Sequence, residues 1–144
     1  MTSRAKGRRN ELLARDLFLA ELGISLKPDL DQYRSNDRGD LIPASDETDW
    51  PFVIEVKSRR DGWTHSKDWW EQVTRAANAQ KKIPVLMYKF DRRDWRFVIK
   101  LDTLNDALNG EHSHYDDYLV TLDADAFFYI AREILSEREV WIQQ

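Results

Sequence analysis

Three residues could share one piece of chemistry: Asp40, which follows Gly39, and Glu55 and Lys57, which interrupt the apolar run Phe52-Val53-Ile54-Glu55-Val56-Lys57. Side chains on a strand alternate faces, so Glu55 and Lys57 point one way and Ile54 and Val56 the other. On a solvated edge such a pair is common and worth little. Inside an apolar strand, charges left uncompensated cost several kcal/mol, so a functional reason accounts for them better. If Asp40 opens the preceding strand of a hairpin, its carboxylate stands beside Glu55 across the ladder. Two adjacent carboxylates repel, and a hard divalent cation such as Mg²⁺, which takes oxygen ligands and keeps several waters, would settle between them. Such a cation offsets charge on a phosphate and lowers the pKa of a bound water, which Lys57 could orient or help deprotonate.

The elements that must bring these residues together follow from periodicity. From Lys6 to Leu22 the apolar residues Leu12, Leu13, Leu17, Phe18 and Leu22 recur at helical spacing, with Gly23 as a stop. After Pro28 a polar stretch offers weak strand character at Leu30 and Tyr33, then the turn-prone Asn36-Asp37-Arg38-Gly39 leads into a short strand at Asp40-Leu41-Ile42. Residues Pro43 to Trp50 read as a turn, and the β-branched run from Phe52 to Lys57 as a buried strand completing the hairpin. Ser66 to Lys82 carries Trp69, Trp70, Val73, Ala76 and Ala77 at three-and-four spacing, a second amphipathic helix ended before Pro84. Strands at Val85 to Phe90 and Trp95 to Ile99 flank the turn Asp91-Arg92-Arg93-Asp94. A last helix over Ala124 to Arg138 presents Phe127, Phe128, Ile130, Ala131, Ile134 and Leu135 to the sheet. The result is a mixed α/β domain.

With 144 residues, 42% of them hydrophobic, the chain suits one domain and one core. No cysteine is present, which excludes disulfides, thiolate zinc sites and cysteine nucleophiles and leaves carboxylates and histidines as the strong metal ligands. No apolar run approaches the ~18 residues of a membrane span, and the polar start Met1-Thr2-Ser3-Arg4-Ala5-Lys6 lacks a secretory signal, so a cytoplasmic protein is expected. The net charge of −4 argues against a nucleic-acid binder only on average. Residues 102 to 144 hold ten acids against Arg132 and Arg138, a net −8, so residues 1 to 101 carry 20 bases and 16 acids, a net +4. A basic face could meet DNA while an acidic face points elsewhere, or the two could simply be solvated.

Gly39-Asp40 followed by Glu55-Val56-Lys57 resembles the PD-(D/E)XK nuclease superfamily, with glycine in place of a loosely kept proline. Lys6-Gly7 with Glu11, Arg34-Ser35 ahead of the Asp, Gln72 in the helix after Glu-x-Lys, and the strand Lys82 to Phe90 resemble archaeal-type Holliday-junction resolvases in particular. The resemblance covers about residues 4 to 101 in order. It implies a single restriction-endonuclease-like α/β domain with a central mixed sheet flanked by helices. Residues 1–101 would be its core and 102–144 an acidic, partly helical extension packing on it. It further implies Asp40, Glu55 and the Val56 carbonyl as metal ligands, Glu11 as an outer or second ligand, Gln72 as a positioning residue and Lys57 as the catalytic lysine. Mg²⁺ would be the cofactor, with Mn²⁺ able to substitute, and the substrate branched DNA cut by a homodimer whose two-fold axis matches a four-way junction. Taken alone, Glu11 also fits ordinary charge placement in the first turns of a helix.

Phosphate contacts are expected from Lys6, Arg8 and Arg9 at the start of the first helix, from Arg34 and Ser35, and from Arg59, Arg60 and Lys67 around Trp63. Trp63 could stack on a base, whereas Trp69 and Trp70 at helical spacing belong mostly to the core. His112 and His114 have no third ligand in view and read as exposed, and no glycine-rich phosphate loop suggests a nucleotide cofactor. Two alternatives stay open: a nicking, repair or restriction nuclease of the same superfamily, and a non-catalytic DNA-binding module on the same fold.

Overall fold

The computed structural model describes residues 2–29, 39–46, 48–104 and 118–138. The Thr2 hydroxyl accepts from the Ala5 N–H at 3.1 Å and starts α1 (Ser3–Leu22). Gly23, left-handed at φ 70°, ends it by donating to the Leu19 carbonyl. The buried stripe of α1 is Asn10, Ala14, Phe18 and Leu22. Leu12, Leu13 and Leu19 stay largely exposed, so the packed face is rotated from the one the leucines alone suggest, because the fourfold stripe carries the large ring of Phe18 inward.

β1 (Leu26–Pro28) precedes the segment where weak strand character was expected; Leu30 and Tyr33 lie outside the described residues. β1 pairs antiparallel with β2 (Leu41–Pro43), which pairs antiparallel with β3 (Phe52–Arg59) at Leu41 opposite Ile54. The expected hairpin is therefore present. β3 and β4 (Ile83–Phe90) are parallel over their full length, and α2 (Lys67–Gln80), capped by the Ser66 hydroxyl, supplies the crossover that a parallel pair requires. Pro84 is accommodated inside β4 because the Ile83 N–H donates to Pro51 of the β3 side, which turns the next residue toward β5 (Arg96–Lys100), where pairing starts only at Leu86. A 3-10 turn (Leu101–Leu104) follows, then β6 (Leu119–Leu122), a strand the sequence reading did not contain, and α3 (Ala124–Ser136), capped by Asp123. The sheet is mixed, six strands in the order β1-β2-β3-β4-β5-β6. The fold is one α/β domain, as expected.

Alternation along β3 sends Phe52, Ile54 and Val56 into the core under α1 and α3, and Val53 into the core under α2. The first core centres on aromatic rings: Phe18 meets Trp50, Phe127 and Phe128 edge-on at 6.2, 6.1 and 5.1 Å between centroids. Trp69 is buried and Trp70 half-buried in the second core, in keeping with their helical spacing. Among the described residues no helix is long and apolar enough to cross a membrane. Phe18→Ala should cost about 3–5 kcal/mol of stability, because it removes the fully buried ring on which three others rest. Urea denaturation checks this; a loss below about 1 kcal/mol would contradict the packing described.

Candidate active site

The site lies where β2 parts from β3. The main chain of Asp40 still donates to the Ile54 carbonyl at 2.8 Å, but the side chain then takes over the ladder: its Oδ2 accepts from the Val56 N–H at 2.7 Å. Even-numbered residues of β3 thus turn their main-chain groups toward Asp40, while Pro51 and Arg59 on the odd side accept from Ile83 and Asp91. The Val56 carbonyl consequently points to the same edge as the Asp40 carboxylate. Gly39 makes the approach possible: a Cβ there would lie 2.8 Å from Val53 Cγ1 and 2.9 Å from the Ile54 carbonyl oxygen.

Glu55 shares its face of β3 with Val53, on the side covered by α2, and is 1% exposed; Asp40 is 8% exposed. Among the described residues no N–H donor reaches either Glu55 oxygen, which leaves a proton shared with Asp40 as the link between the two acids. Burial, then the Asp40 charge, pushes the Glu55 carboxyl up to about 9, with Lys57 acting in the opposite direction. Burial also raises Asp40, against the Glu55 contact, the Val56 N–H and Lys57, which favour its charged form. Glu11 is raised to about 7 by burial and by Asp40, and is drawn down by Arg8 and Lys57. The fold therefore gathers Glu11, Asp40, Glu55 and Lys57, from α1, the residue just before β2 and the middle of β3, into one electrostatic cluster.

Hard oxygen donors, buried together and short of hydrogen-bond donors, suit a divalent cation of the Mg²⁺ kind. Among the described residues no three His, Asp or Glu side chains form a metal-holding group, so the geometry provides a pair with Glu11 beside it. Gln72 is half-buried on α2, on the Glu55 side of the sheet, and donates to neither Glu55 oxygen.

Compared with protein families, residues 2–133 match the family described as "Phage putative PDDEXK endonuclease". The chain belongs to the PDDEXK endonucleases. A solved structure with a similar chain trace is that of Hjc from the archaeal hyperthermophile Archaeoglobus fulgidus, described as a Holliday junction resolvase. The two share 19% identity over 88% of this chain and 98% of that one, with a TM-score of 0.49. No curated protein matches the sequence significantly.

Around the acidic cluster the endonuclease places its bases unevenly. Arg4, Gly7, Arg8 and Glu11 line a cavity of about 350 Å³ on the first turns of α1. Lys6 and Arg9 line a neighbouring groove of about 480 Å³ with Lys89 and Arg92, and Lys6 is paired with Asp91 at 2.7 Å. Arg59 stacks on Trp69, its guanidinium 4.7 Å from the ring centroid. Arg60 and Lys67 are exposed beside Asp61 and Glu71, and Trp63 is 89% exposed. Arg34, Ser35, His112 and His114 lie outside the described residues.

Two features escaped the sequence reading. Asn10, buried on α1, donates to the Ser58 hydroxyl at 2.7 Å and ties the Glu11 turn to the strand just past Lys57. Its signal was a polar residue four positions before Ala14 on the packed stripe. Lys89, Arg92, Arg93 and Arg96 of the β4–β5 hairpin were read only as strand ends and turn.

Gly39→Ala must push β2 away from β3 and should cost about 1–3 kcal/mol, measurable by urea denaturation; an unchanged midpoint would mean the strands are not in tight contact there. A carboxyl raised on folding is protonated in the folded chain where the unfolded chain has already ionised. The stability from Glu55 is thus present below the unfolded value near 4.5 and is lost as pH climbs through about 9; Glu11 follows through about 7. In EDTA the melting temperature should fall between pH 5 and 9, more shallowly in Glu55→Gln. A flat wild-type profile would contradict the burial of Glu55.

Proposed function

We propose that this chain is a metal-dependent endodeoxyribonuclease that hydrolyses DNA phosphodiester bonds at the Asp40, Glu55 and Lys57 cluster. The observation that carries the reading is the buried Glu55 carboxylate, which no donor among the described residues satisfies, set beside Asp40 and within electrostatic reach of Lys57. A fold kept only to bind DNA gains nothing from so costly an arrangement.

Asp40 and Glu55 would hold the cation, with the Val56 carbonyl as a third oxygen from the same edge and Glu11 acting as an outer ligand. Bound Mg²⁺ would supply charge stabilisation at the phosphate and a more acidic water. Lys57 Nζ holds the attacking water in line or accepts its proton. Arg8 and the α1 N-terminal bases hold the phosphate chain against the site. Gln72, on the helix covering that face, positions the substrate or the water. Asn10 keeps Glu11 and Lys57 in register through Ser58.

Branched DNA of the Holliday-junction kind is the substrate we assign, cut by a two-fold homodimer, on the strength of the sequence resemblance across residues 4 to 101. Cleavage of a synthetic four-way junction, a matched duplex and a single strand in Mg²⁺ or EDTA tests each part. Cutting should require Mg²⁺ or Mn²⁺ and vanish in Asp40→Asn and Glu55→Gln; Lys57→Ala should retain a trace, down by about 10²–10⁴-fold. Unchanged cutting by Asp40→Asn and Lys57→Ala would overturn the site. Equal cutting of junction and duplex would remove the junction preference and leave a nicking, repair or restriction habit. No cutting of any substrate would favour a binding module.

A further inference from the structure

The β4–β5 hairpin and the loop after β3 form a second basic surface. Because β3 and β4 run parallel, the hairpin turn lies at the end of the sheet toward which Glu55 and Lys57 also lead, with Lys57 opposite Tyr88 and Arg59 opposite Phe90. Four residues of strand separate Glu55 from Arg59, roughly 13 Å, or the axial rise of about four base pairs. Trp63 stands there almost wholly in water, at 89% exposure, although it is the largest apolar side chain in the loop. The Arg93 guanidinium lies 5.6 Å from its ring centroid. Gly62 lets this loop press on the hairpin: a Cβ there would lie 2.4 Å from Phe90 Cε1. Arg92, held left-handed at φ 66°, sets the turn that presents its neighbours.

A cleft of about 260 Å³ opens between Trp63, Tyr88, Arg93 and Arg96. Lys89 lines this cleft and also the 480 Å³ groove shared with Lys6 and Arg9, so one side chain borders both. Across Lys89 to Arg96 four bases face Asp91 and Asp94, and Asp91 is already paired with Lys6. An exposed indole steadied by a cation and bordered by more bases than acids fits a nucleic-acid strand, whose bases stack and whose phosphates carry the opposite charge.

We infer that Trp63 and Arg93 form a stacking site for one unpaired nucleotide, with Lys89 and Arg92 holding the flanking phosphates away from the cleavage centre. The inference rests on the DNA reading above, and names what the substrate presents there. It is tested by binding in EDTA, without cleavage, using a labelled duplex with one unpaired thymine and the same duplex fully paired. Trp63→Ala should weaken binding of the first by about tenfold, within the ~5- to 150-fold range of one base stack, and of the second by less than about twofold. Trp63→Phe should restore most of the loss. Arg92→Glu should weaken both probes alike and make the salt dependence shallower by about one unit of slope. Equal effects of Trp63→Ala on both probes, or none, would overturn the stacking site while leaving the cleavage cluster standing. Binding of neither probe by the wild type would overturn both this site and the DNA substrate. Conversely, undiminished cleavage by Asp40→Asn alongside the thymine-dependent loss would sink only the cleavage assignment.

Discussion

Burying the Glu55 carboxylate in the middle of an apolar strand costs several kcal/mol, and the local structure is arranged around that cost. The strand cannot move Glu55 outward without exposing Ile54 or Val53, because alternation ties all three to fixed faces. Asp40 is brought in across a gap that only glycine permits, and is anchored by the Val56 N–H. Two acids are thus pressed together by main-chain constraints, and their repulsion becomes standing affinity for positive charge. Glu11 and Lys57 tune that field from either side.

Much of this was legible in the sequence, because short patterns with one meaning control it. The β-branched run around Glu55, the Gly39-Asp40 turn ahead of it and the Trp69 to Ala77 stripe each specify their own element. The family resemblance then gave Glu11 and Gln72 their expected parts. The packed face of α1 was misjudged since leucine counts as apolar wherever it falls, and Asn10, a polar residue on the packed stripe, went unread. Its partner, Ser58, is 48 residues away, and that contact exists only after α1 has docked on β3. β6 escaped because Leu119 to Leu122 is short and is stabilised by its ladder with β5 more than by its own pattern.

The basic hairpin went unread for a related reason. Asp91-Arg92-Arg93-Asp94 has little net charge as a string, and a turn is its plain reading. Folding changes the tally by pairing Asp91 with Lys6 on α1, which leaves Arg92 and Arg93 facing outward beside Trp63. Charge at a surface is a property of what the tertiary structure leaves uncompensated. That is how a chain of net negative charge can still offer a positive path across the end of its sheet.

The divergence of β2 from β3 has a consequence for assembly as well. A sheet that splits open leaves main-chain donors and acceptors facing a gap, and such a gap is an invitation to a stray strand from another molecule. Here the Asp40 side chain occupies the position a neighbouring strand would take, accepting from Val56 in place of a main-chain carbonyl. Desolvated negative charge at that edge also repels an incoming peptide carbonyl. The same carboxylate that suits the cleft for a cation therefore also fills, at Val56, the hydrogen-bonding position that a strand carbonyl would otherwise take.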